Sequence, residues 1–334
     1  MHGECGKLFL NLQFERYEFI VLKDMKKILL SIAALFAAVS VMSAQSMADA
    51  TETAKLANES LSAGDYETAL AGFREALQMA ESCGDEGIEL VATCKEIIPS
   101  ILSRLAKAEL QAGNFDAAVE KFGETIAVAT EYGADDVAAE SAGLIKESYM
   151  RKGNSLLNAK DFAGAADAYA KVLEIAPADG VASLRYGMAL ENSGNSEAAE
   201  AAYKTAAENG QSANATSQLG KLYLRRASAS LKAKKYSAAV SEALTANEYV
   251  ANPQALQIAG QASQLSGKNN DAIKYFEQYL QAAPEAKNAG QIAYTVGALY
   301  QQAGNKAKAK EFFGKAVNDP KYGADAQKAL NALK

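Results

Sequence analysis

From residue 50 onward, apolar positions fall three and four apart, the spacing of one face of a helix, and the phase resets at regular turns. One pattern recurs through this stretch. A small residue is followed seven residues later by a turn residue, five later by an alanine, four later by an aromatic, and three later by a small or apolar residue. The clearest copy is Gly187, Gly194, Ala199, Tyr203, Ala206. Gly260, Gly267, Ala272, Phe276, Tyr279 and Gly297, Gly304, Ala309, Phe313, Ala316 follow it. Earlier copies are Ala57, Gly64, Ala69, Phe73, Ala76 and Ala106, Gly113, Ala118, Phe122, Thr125. Two copies carry lysine at the turn: Gly153, Lys160, Ala165, Tyr169, Val172 and Ala227, Lys234, Ala239, Ala243, Ala246, the last without its aromatic. Each copy predicts a helix, a tight turn and a second helix.

Each spacing has a physical cause. The small residue lets two helices approach closely. Glycine at the turn permits the positive φ that ends the first helix. The alanine and the aromatic, four apart, share one face of the second helix. The stretches GDYETALAGFREAL, GNFDAAVEKF and NNDAIKYFEQYL resemble tetratricopeptide (TPR) motifs, and Pro177 and Pro284 stand where that family often closes a unit. The resemblance covers residues 50–334. It implies an all-α, right-handed α-solenoid of about seven TPR-like helix pairs, with residues 324–333 as a C-terminal capping helix. Between turns the steps are 49, 47, 34, 40, 33 and 37 residues, against a family norm of about 34. The two long steps resemble the longer-helix variant in kinesin light chains and predict taller helices in the N-terminal third. Pro99 is expected to kink or restart one of them.

The N-terminus reads as an address. Within residues 25–48, Lys26 and Lys27 precede an apolar run over 28–42, and small residues offer cleavage after Ala44 or Ala48. That is the layout of a secretory signal peptide, and the run is shorter than the roughly 20 apolar residues of a membrane span. A buried N-terminal helix is the alternative. Residues 1–24 place acids ahead of the basic region, as a start assigned too early would, with Met25 the true start. The expected mature chain, residues 49–334, is then an exported TPR solenoid, periplasmic or secreted.

Composition narrows the function. Apolar residues make up 49% and charged residues 22%, the balance of a folded chain, and a net charge of −6 argues against phosphate-dominated nucleic-acid binding. The one histidine is His2, so the commonest general base and metal ligand is missing from the expected mature chain. With no P-loop and no zinc spacing either, no enzymatic activity, metal or other cofactor is expected. Asp135 and Asp136 are expected at a helix start, where acids complement the helix N-terminus. Cys83 and Cys94 flank the turn GDEG. In an exported chain they are a candidate disulfide, and two buried thiols are the alternative.

Polar chemistry concentrates in cations at a fixed place. Arg104, Arg151, Arg185 and Arg225 each stand nine residues before a turn residue, and Lys55 holds the same place before Gly64. The last two units break the ladder with Ile258 and Thr295. Stacked repeats would put one cation per unit on or beside the concave groove, where guanidinium forks suit carboxylates. The carboxylate clamp of chaperone-binding TPR domains is the nearest comparison. Asn154 matches its first asparagine and Lys107 a groove-facing position, but Met150, Met188, Leu224 and Ser228 stand where other clamp residues would be, so the clamp itself is absent. The candidate ligand groove is therefore Lys55, Arg104, Lys107, Arg151, Asn154, Arg185 and Arg225, binding an acidic extended segment. Two other readings stand beside it: pairing within the chain, with acids such as Glu147 or Glu191, and chance alignment. Gln257, Gln261 and Tyr294 also occupy groove-facing positions, with Gln264, Gln301 and Gln302 nearby. The expected function is a protein-binding scaffold of the cell envelope. The alternatives are a glycan- or peptidoglycan-binding module and a self-assembling repeat protein.

Overall fold

The structure is a computed structural model and describes residues 47–333. The expected upstream start at 1–24 lies outside the described residues. So does the leader at 25–48, apart from Met47 and Ala48, which open the first helix. Every regular element among the described residues is helical. In chain order these are α1 (Met47–Ala63) and α2 (Tyr66–Ser82), α3 (Ile88–Ala112) and α4 (Phe115–Tyr132), and α5 (Asp135–Asn158) and α6 (Phe162–Ile175). Next come α7 (Gly180–Asn192) and α8 (Ser196–Ala206), α9 (Ser212–Lys232) and α10 (Tyr236–Tyr249), and α11 (Pro253–Leu265) and α12 (Asn269–Ala282). The chain closes with α13 (Ala289–Gln302), α14 (Lys306–Ala316) and a cap, α15 (Gly323–Ala332). The helices form two compact units, divided between Ala189 and Leu190. Each is an α-solenoid, and consecutive helices pack against one another from α1 to α6 and from α8 to α15.

All seven turns close in the same way. Gly64, Gly113, Gly194, Gly267 and Gly304 have positive φ, and so do the two lysines, Lys160 (φ 62°) and Lys234 (φ 60°). The next residue in each turn donates its N–H to a carbonyl five residues back. Examples are Asp65 to Ser60 at 2.9 Å, Asp161 to Leu156 at 2.9 Å and Lys235 to Ser230 at 2.8 Å. This is a Schellman closure, and it satisfies carbonyls that the first helix would otherwise leave open. Most second helices then start under an Asx cap: Asp65 Oδ1 accepts from the Thr68 N–H at 3.1 Å, Asp161 from Gly164 at 3.0 Å, and Asn305 from Lys308 at 3.1 Å.

The core is built from the residues the repeat marks. Phe73, Phe122, Tyr169, Tyr203, Phe276 and Phe313 are the aromatics of the second helices, and all are buried. The small residues face them. A Cβ built on Gly153 would lie 2.6 Å from the Tyr169 ring, on Gly260 2.5 Å from Phe276, and on Gly297 2.7 Å from Phe313. No side chain fits at that range, so glycine sets how closely the first helix sits on the ring of the second.

Helix lengths follow the steps. The N-terminal helices α3 and α5 have 25 and 24 residues, whereas α6 and α12 have 14 each. α6 and α12 both stop two residues before the closing prolines, since the residue before proline disfavours the helical region. One further long helix was not expected: α9, with 21 residues, begins after Gly210 (φ 84°) ends the turn at Ala207–Gln211. Asp135 and Asp136 do occupy the first turn of α5.

Of the kink or restart expected at Pro99, the restart does not occur, because α3 is continuous through the buried proline. The candidate disulfide is not formed, and both cysteines are thiols. Cys94 is fully buried in the cluster that holds Phe73, Ala76 and Leu77 of α2, and its neighbour Lys95 pairs with Glu81 at 3.3 Å. Cys83 lies beyond that level, at the C-cap of α2. Burial pushes the Cys94 thiol up to about 11, so it is an apolar filler with little thiolate.

Candidate functional site

The expected ladder lies on first helices, one residue or pair per helix. In the unit that ends at Ala189, Lys55 sits on α1, Arg104 and Lys107 on α3, Arg151 and Asn154 on α5, and Arg185 on α7. The small-residue seam of each helix is buried and the ladder positions lie off it, half-buried or exposed. The structure does not gather them into one cluster. Lys55 pairs with Glu52 at 3.4 Å and Arg151 with Glu147 at 2.5 Å, each along its own helix. Lys107 reaches across from α3 to Glu140 of α5 at 2.8 Å. Pairing within the chain is therefore realised for these three, and such exposed pairs contribute about 0–1 kcal/mol each.

Arg104 and Arg185 differ. Arg104 is exposed, and its guanidinium lies 5.7 Å from the centroid of the Tyr66 ring. Arg185 is half-buried and donates to Asn154 Oδ1, which also accepts from the Tyr169 hydroxyl at 2.8 Å. Asn154 is thus a positioning residue that links α5, α6 and α7. Among the described residues neither arginine meets a carboxylate, so both are oriented while their charge stays uncompensated.

In the second unit, Arg225 of α9 pairs with Glu191. Glu191 also accepts from the Tyr203 hydroxyl at 2.8 Å. Beside it is a network that the sequence reading did not single out. Glu200 of α8 accepts from the Tyr223 hydroxyl at 2.7 Å, from Arg226 at 2.5 Å and from Lys204 at 2.7 Å. Arg226 also donates to the Ser196 carbonyl at 2.6 Å and lies 5.2 Å from the centroid of the Tyr223 ring. Burial alone would raise the Glu200 carboxyl, but the hydrogen bonds from Lys204, Tyr223 and Arg226 bring it down to about 2. The signal in the sequence was Tyr223 and Arg226, three apart and so on one face of α9. These groups saturate one another, which marks a brace between α8 and α9.

The glutamine-rich C-terminal stretch divides. Gln257 and Gln261 are half-buried, and Gln264, Gln301 and Gln302 are exposed. Tyr294 is a packing residue, its ring 5.5 Å from both Phe313 and Tyr322. A cleft of about 240 Å³ lies between α2, α3 and α4, lined by Leu70, Leu102 and Leu105 with Arg74, Lys121 and Glu124. Three of the four charged residues that line it pair, Arg74 with Glu124 at 2.6 Å and Lys121 with Glu109 at 3.0 Å, and Glu67 is the fourth. Among the described residues, no group of three or more His, Cys, Asp and Glu is placed to hold a metal, and no helix is long and apolar enough to cross a membrane.

Three stretches of the sequence match family models of the tetratricopeptide repeat: residues 103–180, 156–222 and 290–318. No curated protein matches the chain. Among solved structures, one of MamA is similar at 22% identity and a TM-score of 0.35, over 54% of this chain and 94% of that chain. YrrB, described as a TPR protein with an unusual peptide-binding site, is similar at 20% identity and a TM-score of 0.34, over 55% of this chain and 90% of that one. The TPR domain of P58(IPK) is similar at 14% identity and a TM-score of 0.26, over 85% of this chain and 97% of that domain.

Proposed function

Taking the chain as a carrier of tetratricopeptide repeats, we propose that it is a non-catalytic, exported scaffold of the cell envelope that grips an acidic, extended segment of a partner protein. The repeats support the coarse reading, because stacked helix pairs leave their first helices open to hold a peptide. The finer reading rests on one observation: Arg104 and Arg185 contact Tyr66 and Asn154, yet no carboxylate among the described residues neutralises them. A partner's carboxylate can supply what the fold leaves out. The basic region and apolar run of residues 25–42 support export.

Fluorescence anisotropy with a labelled glutamate-rich peptide, and its glutamine counterpart, tests the groove. Losing two charge-assisted contacts of about 1.5–3 kcal/mol each should weaken glutamate-peptide binding at least tenfold in Arg104→Ser/Arg185→Ser. Binding that is equal for both peptides, or unchanged in the double variant, refutes the groove. Cell fractionation with N-terminal sequencing tests export. A mature chain that begins after Ala44 or Ala48 is expected, and a chain retaining residues 25–44 in the cytoplasm contradicts it.

A further inference from the structure

The net charge of −6 conceals a segregation. Residues 47–189 hold 12 basic and 24 acidic side chains, a net of −12, and residues 190–334 hold 17 basic and 12 acidic, a net of +5. The excess cations of the second unit are not spread evenly. Lys232, Lys234 and Lys235 stand at the α9–α10 turn, Lys268 at the α11–α12 turn, and Lys306 and Lys310 at the start of α14. All six are exposed, and among the described residues none has a carboxylate partner. The first helices stack, α9 on α11, and the α11–α12 turn lies beside the end of α13, where the Asn269 amide donates to Gln302 at 3.2 Å.

Local physics disfavours lysine at three of these places. Lys234 takes the left-handed conformation that glycine fills in five of the seven turns. Lys235 and Lys268 occupy N-caps without any side-chain cap, at the helix end where positive charge is least welcome. In the first unit, the matching N-caps are Asp65 and Asp161, which do cap their helices, and Asp116, which follows the turn at Gly113, pairs with Lys152 at 2.5 Å. Where a sequence departs from local preference several times on one surface, a function is the expected reason.

We infer that the lysine edge of the second unit is a docking surface for a second copy of this chain, engaged through that copy's acidic first unit. Charge complementarity selects this occupant. So does spacing, because both edges are laid out by the same repeat with one turn per helix pair, so cations and carboxylates can meet in register. The contact is between different surfaces of the two copies and depends on salt. It goes beyond the peptide groove and uses none of its residues.

Sedimentation velocity on the full chain tests the inference, over protein concentrations from about 1 to about 200 μM at about 20 mM and about 500 mM NaCl. At low salt and high concentration, the average mass should rise about twofold or more above the monomer's 35.2 kDa and fall back at high salt. The variant Lys232→Glu, Lys235→Glu, Lys268→Glu, Lys306→Glu should stay monomeric. Three of these positions are N-caps or first helical turns that accept acids, and thermal circular dichroism checks that the variant is folded. The variant keeps the acidic unit, so mixing it with labelled wild type should give a mixed species. A chain that is monomeric throughout overturns the inference, as does association that ignores salt or survives the four substitutions. Monomeric protein that cosediments with phosphatidylglycerol vesicles through the same lysines would assign the edge to anionic lipid, and that also overturns it.

Discussion

Lys160 holds a φ of 62° at a place where most of the turns use glycine. A β-carbon there costs energy that glycine would not incur, so Lys160→Gly should stabilise the fold by about 0.5–1 kcal/mol, and Gly113→Ala should cost about 1 kcal/mol. Urea titration followed by circular dichroism measures both. The sign reverses at the seam. Gly260→Ala puts a methyl group 2.5 Å from the Phe276 ring and should destabilise by about 1–3 kcal/mol, despite alanine's better helix propensity. These partners were legible in the sequence, because a small residue and an aromatic at fixed spacing can meet only across a helix pair. The polar pairs were less so. Arg151 finds Glu147 one turn away, but Lys107 finds Glu140 and Arg185 finds Asn154 across stacked helices. Which side chain crosses depends on helix rotation, which a periodic pattern leaves open.

At the scale of the element, α8 and α9 are braced by a single carboxylate. Glu200 has its pKa lowered from 4.5 to about 2 in the folded state. The unfolded chain therefore takes up the proton first, and the stabilisation is present above pH 4.5 and lost as pH falls toward 2. Lys204 is 52% exposed, so solvent screening leaves about 2 kcal/mol at stake. Acid titration of wild type and Glu200→Gln should show the variant less stable at neutral pH, with the difference shrinking across that window. Helix length was partly legible. The long steps between turns announced α3 and α5, but the extra turns of α9 lie ahead of its motif, where Gly210 rather than a proline ends the preceding turn. Pro99 shows the limit of a local rule: a proline buried in a long, well-packed helix need not break it.

For the whole molecule, the repeat announced a solenoid of seven pairs and a cap, because a recurring seam can be buried only by stacking copies. The cap matters in proportion to what it covers. α15 and its C-cap Leu333 lay Ala326, Leu330 and Leu333 over Ala309, Phe313 and Ala316. Truncation after Asn318 should uncover that face, costing roughly 2–3 kcal/mol. ANS fluorescence should rise, and amide exchange should quicken in α13 and α14 first. The candidate groove was only half legible. The ladder was visible as a spacing, but its members diverge once placed: three are paired along or between helices, Arg225 meets Glu191, and Arg104 and Arg185 keep their charge. The segregation of charge between the units is a property of sums, and it emerges only once the division at Ala189 is known.

The seven Schellman turns also decide where the chain can be interrupted. Each is closed by the same pair of backbone bonds around one left-handed residue, so an inserted residue would break the closure and shift the second helix off its seam. The links from one pair to the next vary: the one at Gly133 closes in the same way, but another is a 3₁₀ turn at Gly84–Gly87, another passes through Pro177, and another turns at Gly210. A fluorescent tag or protease site grafted beside Gly210 should leave both neighbouring pairs intact, whereas the same graft after Gly64 should unseat a repeat.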